Sequence, residues 1–240
     1  MSPATAVDAP SRDDSVERAA WTADEVRTFL RIADEDRIAA LWRVALTTGM
    51  RRGELCGMTW EAVDLDSGVI SVERQVLVRP RSVPGERRVY VRGTTKTRRS
   101  RHVRIDDATA AALRRWKADQ AAERLAFGGA WKTGGGLGVG ASWVVTEPDG
   151  SVIHPDTVSA RWEDLVKLAG VSPITIHGAR HSYAELALRA GVRLDVVSRQ
   201  LGHASIATTA NFYTHDTDEA AAEAAARLAA VLDGVSRPSG

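Results

Sequence analysis

Residues 69–105 read VISVERQVLVRPRSVPGERRVYVRGTTKTRRSRHVRI. Here the apolar pattern changes from helical spacing to alternation. Val69-Ile70-Ser71-Val72, Arg88-Val89-Tyr90-Val91 and His102-Val103-Arg104-Ile105 predict three short strands. Pro80, Pro84 and Gly85 separate the first from the second, and Gly93 to Ser100 links the second to the third. The expected class is mostly α with a small antiparallel β-sheet, an α+β arrangement with the sheet inserted among helices. The stretch is also basic. Between Arg79 and Arg104 there are ten Lys or Arg residues and one acid, Glu86. The net charge of the whole chain is only +1. Such a local excess suits one face meant for a polyanion, or a solvated arginine-rich hairpin, and charge alone leaves both open.

Working outward, structured sequence begins near Trp21. Thr22 with Glu25 forms a capping box, and Val26, Phe29 and Leu30 follow at helical spacing. A second helix is expected over Asp36 to Thr47, stopped by Gly49, and a short one over Arg52 to Met58. Beyond the strands, a helix is expected over Asp106 to Phe127, then a glycine-rich loop from Gly128 to Gly140. Trp143 to Thr146 reads as extended, with a turn at Pro148-Asp149-Gly150. Helices then span Pro155 to Gly170, His177 to Ala190 and Arg193 to Leu201. Ser205 to Phe212 and the alanine-rich Asp218 to Leu232 complete the helical set. Residues 1–20 read as a disordered leader, 21–233 as one folded region and 234–240 as a flexible tail.

The composition is 44% apolar and 26% charged, as in a globular protein able to bury a sizeable core. Cys56 is the one cysteine, so no internal disulfide can form, and a reducing, cytoplasmic setting is expected. No apolar run approaches a membrane span, and no membrane partner is expected. Gly134 to Gly140 (GGGLGVG) is not followed by Lys and Ser/Thr, so it reads as a mobile surface loop and not as a phosphate cradle. His177 and His181 stand four apart, a spacing that can hold zinc, but HGARH lacks the glutamate of a zinc-protease helix and a third ligand. No metal and no cofactor are expected.

In the His177–Ala190 helix, Ala179, Tyr183, Leu186, Ala187 and Ala190 share an apolar face, which makes Tyr183 a core residue. His177, Arg180 and His181 lie off that face. His177 and Arg180, three apart, can point at one ligand. Cations crowd this helix start, where the dipole disfavours them, and that makes sense if an anion docks there; a solvated helix start is the plain alternative. Arg51 follows Thr47-Thr48-Gly49-Met50 at a helix junction, where Glu54 can hold it by a bidentate pair. Leu201-Gly202-His203-Ala204-Ser205-Ile206 leads to Thr208-Thr209 and Tyr213-Thr214-His215, a helix–tight turn–helix whose plain reading is a DNA-binding element without chemistry.

Taken in order, TTGMRRGEL, TKTRRSRHVRI, HGARH and LGHASIATTANFYTH resemble the motif set of the tyrosine recombinases, the phage-integrase family, in its catalytic domain. The resemblance runs from about Trp21 to the last helix. It implies that Arg51 is the first catalytic arginine with Glu54 as its supporting acid, that Lys96 is the hairpin lysine, and that His177 and Arg180 form the second pair beside His181. It further implies His203 as the third-motif histidine and Tyr213 as the nucleophile. Arg52, Arg98, Arg99 and Arg101 are expected as further DNA contacts. The chemistry needs these types. Preplaced cations stabilise the charge that gathers on the nonbridging oxygens of a pentacovalent phosphate, and a tyrosine hydroxyl with pKa ~10 needs a base.

The implied activity is site-specific DNA recombination of integrase type, through a 3′-phosphotyrosine intermediate and without metal or ATP, as in mobile genetic elements. The implied partner is double-stranded DNA, with a homotetramer on DNA formed by exchange of the C-terminal helix and a monomer in its absence. Such proteins usually carry a helical core-binding domain ahead of the catalytic one. Only some twenty residues precede Trp21, so that domain is expected to be absent. This keeps open a catalytically weak or inert DNA-binding fragment, and a DNA relaxation like that of type IB topoisomerases.

Overall fold

The capping box opens the first helix, α1 (Ala23–Ala33). The structure is a computed structural model that describes residues 20–78, 89–93, 101–136 and 140–202. Thr22 Oγ1 accepts from the Glu25 backbone N–H at 3.3 Å, and the Glu25 carboxylate accepts from the Thr22 N–H at 2.9 Å. Glu25 also accepts from Ser172 N–H at 3.2 Å, which ties α1 to a segment 147 residues away. The Ser172 bonds, with those of Thr22, hold the Glu25 carboxyl down at about 2.

Helix α2 (Ala39–Thr48) is the spine of the core, with Ala40, Leu41, Trp42, Val44, Ala45, Leu46 and Thr48 all buried. It begins three residues after the expected Asp36. The Asp36 carboxylate instead accepts from the Ile38 N–H at 2.9 Å and from Trp42 Nε1 at 3.1 Å, a local turn that competes with the helix. Helix α2 packs against α4 (Asp107–Phe127) and α6 (Ile176–Arg189). Asp106 caps α4 by accepting from Thr109 N–H at 2.9 Å, and Thr175 caps α6 by accepting from Gly178 N–H at 3.2 Å. The short α3 (Arg52–Cys56) follows α2, and α5 (Pro155–Ala169) carries its proline in the first turn. Helix α7 (Leu194–Leu201) ends at Gly202.

The strands pair differently from the single sheet expected. Strands β1 (Val63–Asp64), β2 (Val69–Val72) and β5 (Arg101–Arg104) form one antiparallel sheet in the order β1-β2-β5. Strands β3 (Arg74–Val78) and β4 (Val89–Gly93) form a separate hairpin. The second predicted strand therefore pairs with β3, a strand the alternation did not reveal. Only Val76 of β3 is buried, so its sequence carries little of the in–out rhythm that marks a half-buried strand. The hairpin packs against α3.

The core holds four aromatic rings in succession. Trp162 lies 5.3 Å from Trp21, 4.5 Å from Phe29 and 6.0 Å from Trp42, centroid to centroid. Trp21 Nε1 donates to Ser172 O at 2.7 Å and its backbone N–H to Ser182 Oγ at 2.9 Å, which fixes the start of the fold onto α6. A smaller cluster of Ala184, Leu188, Val197 and Leu201 joins α6 to α7, with half-buried Tyr183 against it. Tyr183 thus packs as expected, whereas Ala190 of the same predicted face is exposed. The described part of the glycine-rich loop is not a free surface segment throughout. Gly135 is buried and accepts from the Val152 N–H at 3.1 Å. Among the described residues no helix is long and apolar enough to cross a membrane. The helices expected at Ser205–Phe212 and Asp218–Leu232 lie outside the described residues.

Candidate functional site

Helix α2 ends at Gly49, and the chain turns there to present Arg51 at the start of α3. Gly49 has φ 62°, and a Cβ on it would lie 2.6 Å from Leu201 Cδ2 and 2.7 Å from Tyr183 Cδ1. Only glycine suits both the left-handed backbone and the close approach of α6 and α7. Five residues after Gly49, Glu54 is buried at 7% exposure and stands at the centre of a group of arginines. Arg51 donates to it from Nη1 at 3.1 Å and from its backbone N–H at 2.9 Å. The bidentate partner expected to be Arg51 is instead Arg101, whose Nη1 and Nη2 donate to the two carboxylate oxygens at 2.8 Å and 2.6 Å. Burial pushes the Glu54 carboxyl up, but the Arg101 bonds and charge, aided by Arg51, outweigh it and hold the group below the ordinary carboxylate value.

Arg101, expected as a DNA contact, faces inward here. Its side chain is 17% exposed, and Nε donates to Gln200 O at 2.9 Å, so three of its five N–H donors bond inside the protein. The alternation of β5 carried the signal. Val103 is fully buried, and Arg101 lies two residues before it on the same face.

Arg180 is also deeper than expected. Its sequence position places it off the apolar face, yet it is 4% exposed. Its Nη1 donates to Gly49 O and its Nη2 to Leu201 O, both at 2.7 Å. These carbonyls sit at the C-terminal ends of α2 and α7, where partial negative charge receives a buried cation. Burial first, then the nearby charge of Arg51, pushes the guanidinium down to about 10, so it stays protonated at neutral pH. The cluster therefore holds three guanidinium groups around one carboxylate, a surplus of positive charge.

His177 is exposed in the first turn of α6, and its ring lies 5.0 Å from that of His181, edge to face. Arg52 donates to Ser159 Oγ at 2.7 Å and to Asp156 at 3.3 Å, which binds α3 to α5. Arg52, Ser159, Glu163, Thr175 and His177 line a cleft of about 340 Å³. Cys56 is buried and its thiol is pushed up to about 12 by burial, so it offers no thiolate at neutral pH. Among the described residues no group of histidines, cysteines and carboxylates is arranged to hold a metal. The structure thus brings Arg51, Glu54 and Arg180 into one cluster and puts His177 on the cleft beside α3. Lys96, Arg98, Arg99, His203 and Tyr213 lie outside the described residues.

The profile of the phage integrase family matches residues 20–220. The chain belongs to the phage integrase family. A XerC-like tyrosine recombinase of Caldanaerobacter subterraneus subsp. tengcongensis is 29% identical over 198 residues, 81% of this chain and 50% of that protein. The crystal structure of XerA recombinase is similar at TM-score 0.63 and 26% identity, over 92% of this chain and 66% of that one. The Tn1549 transposon integrase, solved with transposon right end DNA, shares the fold at TM-score 0.73 and 23% identity, over 91% of this chain and 68% of that one. The chain spans about half the length of the curated relatives it matches.

Proposed function

We propose that this chain is the catalytic domain of a site-specific recombinase that cleaves and rejoins double-stranded DNA through a phosphotyrosine link at Tyr213. The observation that carries the reading is the cluster of Arg51, Arg101 and Arg180 around Glu54. It has more positive than negative charge, and Arg51 keeps 45% of its side chain exposed. Family membership and the names of the relatives, tyrosine recombinases and integrases, support the same reading.

In this reading Arg51 and Arg180 bind the nonbridging oxygens of the scissile phosphate, with His203 as a third donor. The Tyr213 hydroxyl oxygen attacks phosphorus and gives its proton to His177. The bond from phosphorus to the 5′-oxygen breaks, and Lys96 gives that oxygen its proton. The products are a 3′-phosphotyrosine and a free 5′-hydroxyl. Attack by a second 5′-hydroxyl reverses the step, since the phosphodiester bond energy is kept. The cations act on charge that grows in the transition state, where preorganised donors contribute most. Residues 21–233 belong to the catalytic domain, and Arg98 and Arg99 add phosphate contacts. The working assembly is a homotetramer on DNA joined through the C-terminal helices, in the cytoplasm of a bacterium or of a phage host.

A nicked suicide duplex from the native locus tests this. A denaturation-resistant protein–DNA adduct is expected, with the rate lowered about 100-fold or more in Arg180→Ala, as for loss of one preorganised donor. Binding without any adduct would return the chain to an inert DNA-binding module. Relaxation of any supercoiled plasmid without site preference would place it beside the type IB topoisomerases.

A further inference from the structure

The Glu54 carboxylate has about four acceptor positions, and four donors fill them. Oε1 takes Arg51 Nη1 at 3.1 Å and Arg101 Nη1 at 2.8 Å, while Oε2 takes the Arg51 N–H at 2.9 Å and Arg101 Nη2 at 2.6 Å. The two side chains do not share it equally. Arg101 gives two short parallel bonds and is 17% exposed; Arg51 gives one longer bond and is 45% exposed. A buried carboxylate draws in whatever cation can reach it. Arg51 already touches Oε1, so without Arg101 it would turn onto both oxygens.

We propose that Arg101 is a positioning residue: by saturating Glu54 it leaves the Arg51 guanidinium turned outward for a phosphate. The purpose of this arrangement rests on the reading of the site as phosphate-cleaving. The same side chain reaches further. Its Nε holds Gln200 O at 2.9 Å, and its stem packs so closely on Gly202 that a Cβ there would lie 2.8 Å from Arg101 Cδ. Arg101 opens β5 five residues after Lys96, and Gly202 directly precedes His203. One guanidinium thus joins α3, β5 and the end of α7.

Labelling of Arg51 by phenylglyoxal, read by mass spectrometry on the full chain without DNA, tests the proposal. Arg51 should react readily in the wild type. In Arg101→Gln its rate should fall about tenfold, as Glu54 takes a charge-assisted bidentate partner. Arg101→Gln/Glu54→Gln should restore it, because a neutral amide no longer recruits Arg51. A purely structural role for Arg101 would not produce that reversal. Unchanged labelling in Arg101→Gln, or a fall that the double variant does not reverse, overturns the proposal. Should Arg101→Gln fail to fold, Arg101→Lys carries the test. One ammonium cannot saturate both oxygens, so Arg51 labelling should still fall, and wild-type labelling there overturns the proposal. The result does not depend on cleavage: a wild type that forms no DNA adduct sinks the proposed activity, while the labelling still decides the role of Arg101. In an active protein, Arg101→Gln should lower the cleavage rate far more than DNA affinity.

Discussion

Replacing Glu54 by glutamine keeps the shape of the side chain and removes its charge. In the native fold this side chain is 9% exposed and accepts from Arg101 at 2.8 Å and 2.6 Å and from Arg51 at 3.1 Å and 2.9 Å. The amide can accept on one side only, and its NH2 group faces guanidinium donors on the other. Arg101, mostly buried, then lacks its anion while the charge of Arg180 still acts on the same site. Removing one partner of a buried ion pair costs about 3–5 kcal/mol. Arg51 can relax into solvent and Arg101 cannot, which favours the lower half of that range. At roughly 2–4 °C per kcal/mol for a domain of this size, the Tm should fall by roughly 6–16 °C. Thermal unfolding followed by circular dichroism at pH 7 measures this. Arg101→Gln should also destabilise, and the double variant should be milder than the sum by about 1–3 kcal/mol. The pH dependence has a definite sign. The native Glu54 carboxyl titrates below its unfolded value, so its contribution is complete above the unfolded pKa and lost as pH falls through the native one. The gap between wild type and Glu54→Gln should therefore narrow on acidification. A Tm drop under about 2 °C, or strict additivity with Arg101→Gln, would refute the shared-carboxylate account.

Other outcomes follow from the same packing. Trp162 is fully buried among Trp21, Phe29 and Trp42, so Trp162→Ala should cost about 3–5 kcal/mol in chemical denaturation and leave Arg51 labelling of the folded fraction unchanged. Gly202 has φ 68° and its missing Cβ faces the Arg101 stem at 2.8 Å, so Gly202→Ala should cost about 1–3 kcal/mol and lower the cleavage rate as well. Glu25 is held down at about 2, mainly by Ser172 and then by Thr22. Its contribution is present above the ordinary carboxylate pKa of ~4.3 and fades as pH falls toward about 2, so Glu25→Gln should flatten the Tm profile across that window.

Local chemistry made much of this fold legible. The Thr22–Glu25 box, the Asp106 cap and the stops at Gly49, Gly170 and Gly202 each depend on residues within a few positions, and the helices begin and end there. The motif residues Arg51 and Arg180 could be named from spacing, but their surroundings could not. The Arg101 fork on Glu54 spans 47 positions, and Arg180 reaches Gly49 across 131, so neither leaves a periodic trace. Sequence proximity pairs Glu54 with its neighbour Arg51, whereas the bidentate geometry favours the strand residue Arg101. The pattern places Arg180 off the apolar face because an arginine is seldom buried. Two helix C-termini meeting at one point made that burial possible, and only the tertiary structure brings them together. The β3–β4 hairpin escaped notice for a related reason, since β3 has one buried residue and pairs across a long connection.

The most direct test of the central claim is to identify the residue that carries DNA. The trapped adduct from the suicide duplex would be digested with nuclease and protease, and the nucleotide-bearing peptide sequenced by mass spectrometry. The account predicts a single 3′-phosphonucleotide on Tyr213, absent from Tyr213→Phe. A nucleotide on Tyr90 or Tyr183, or an adduct that survives in Tyr213→Phe, would contradict it.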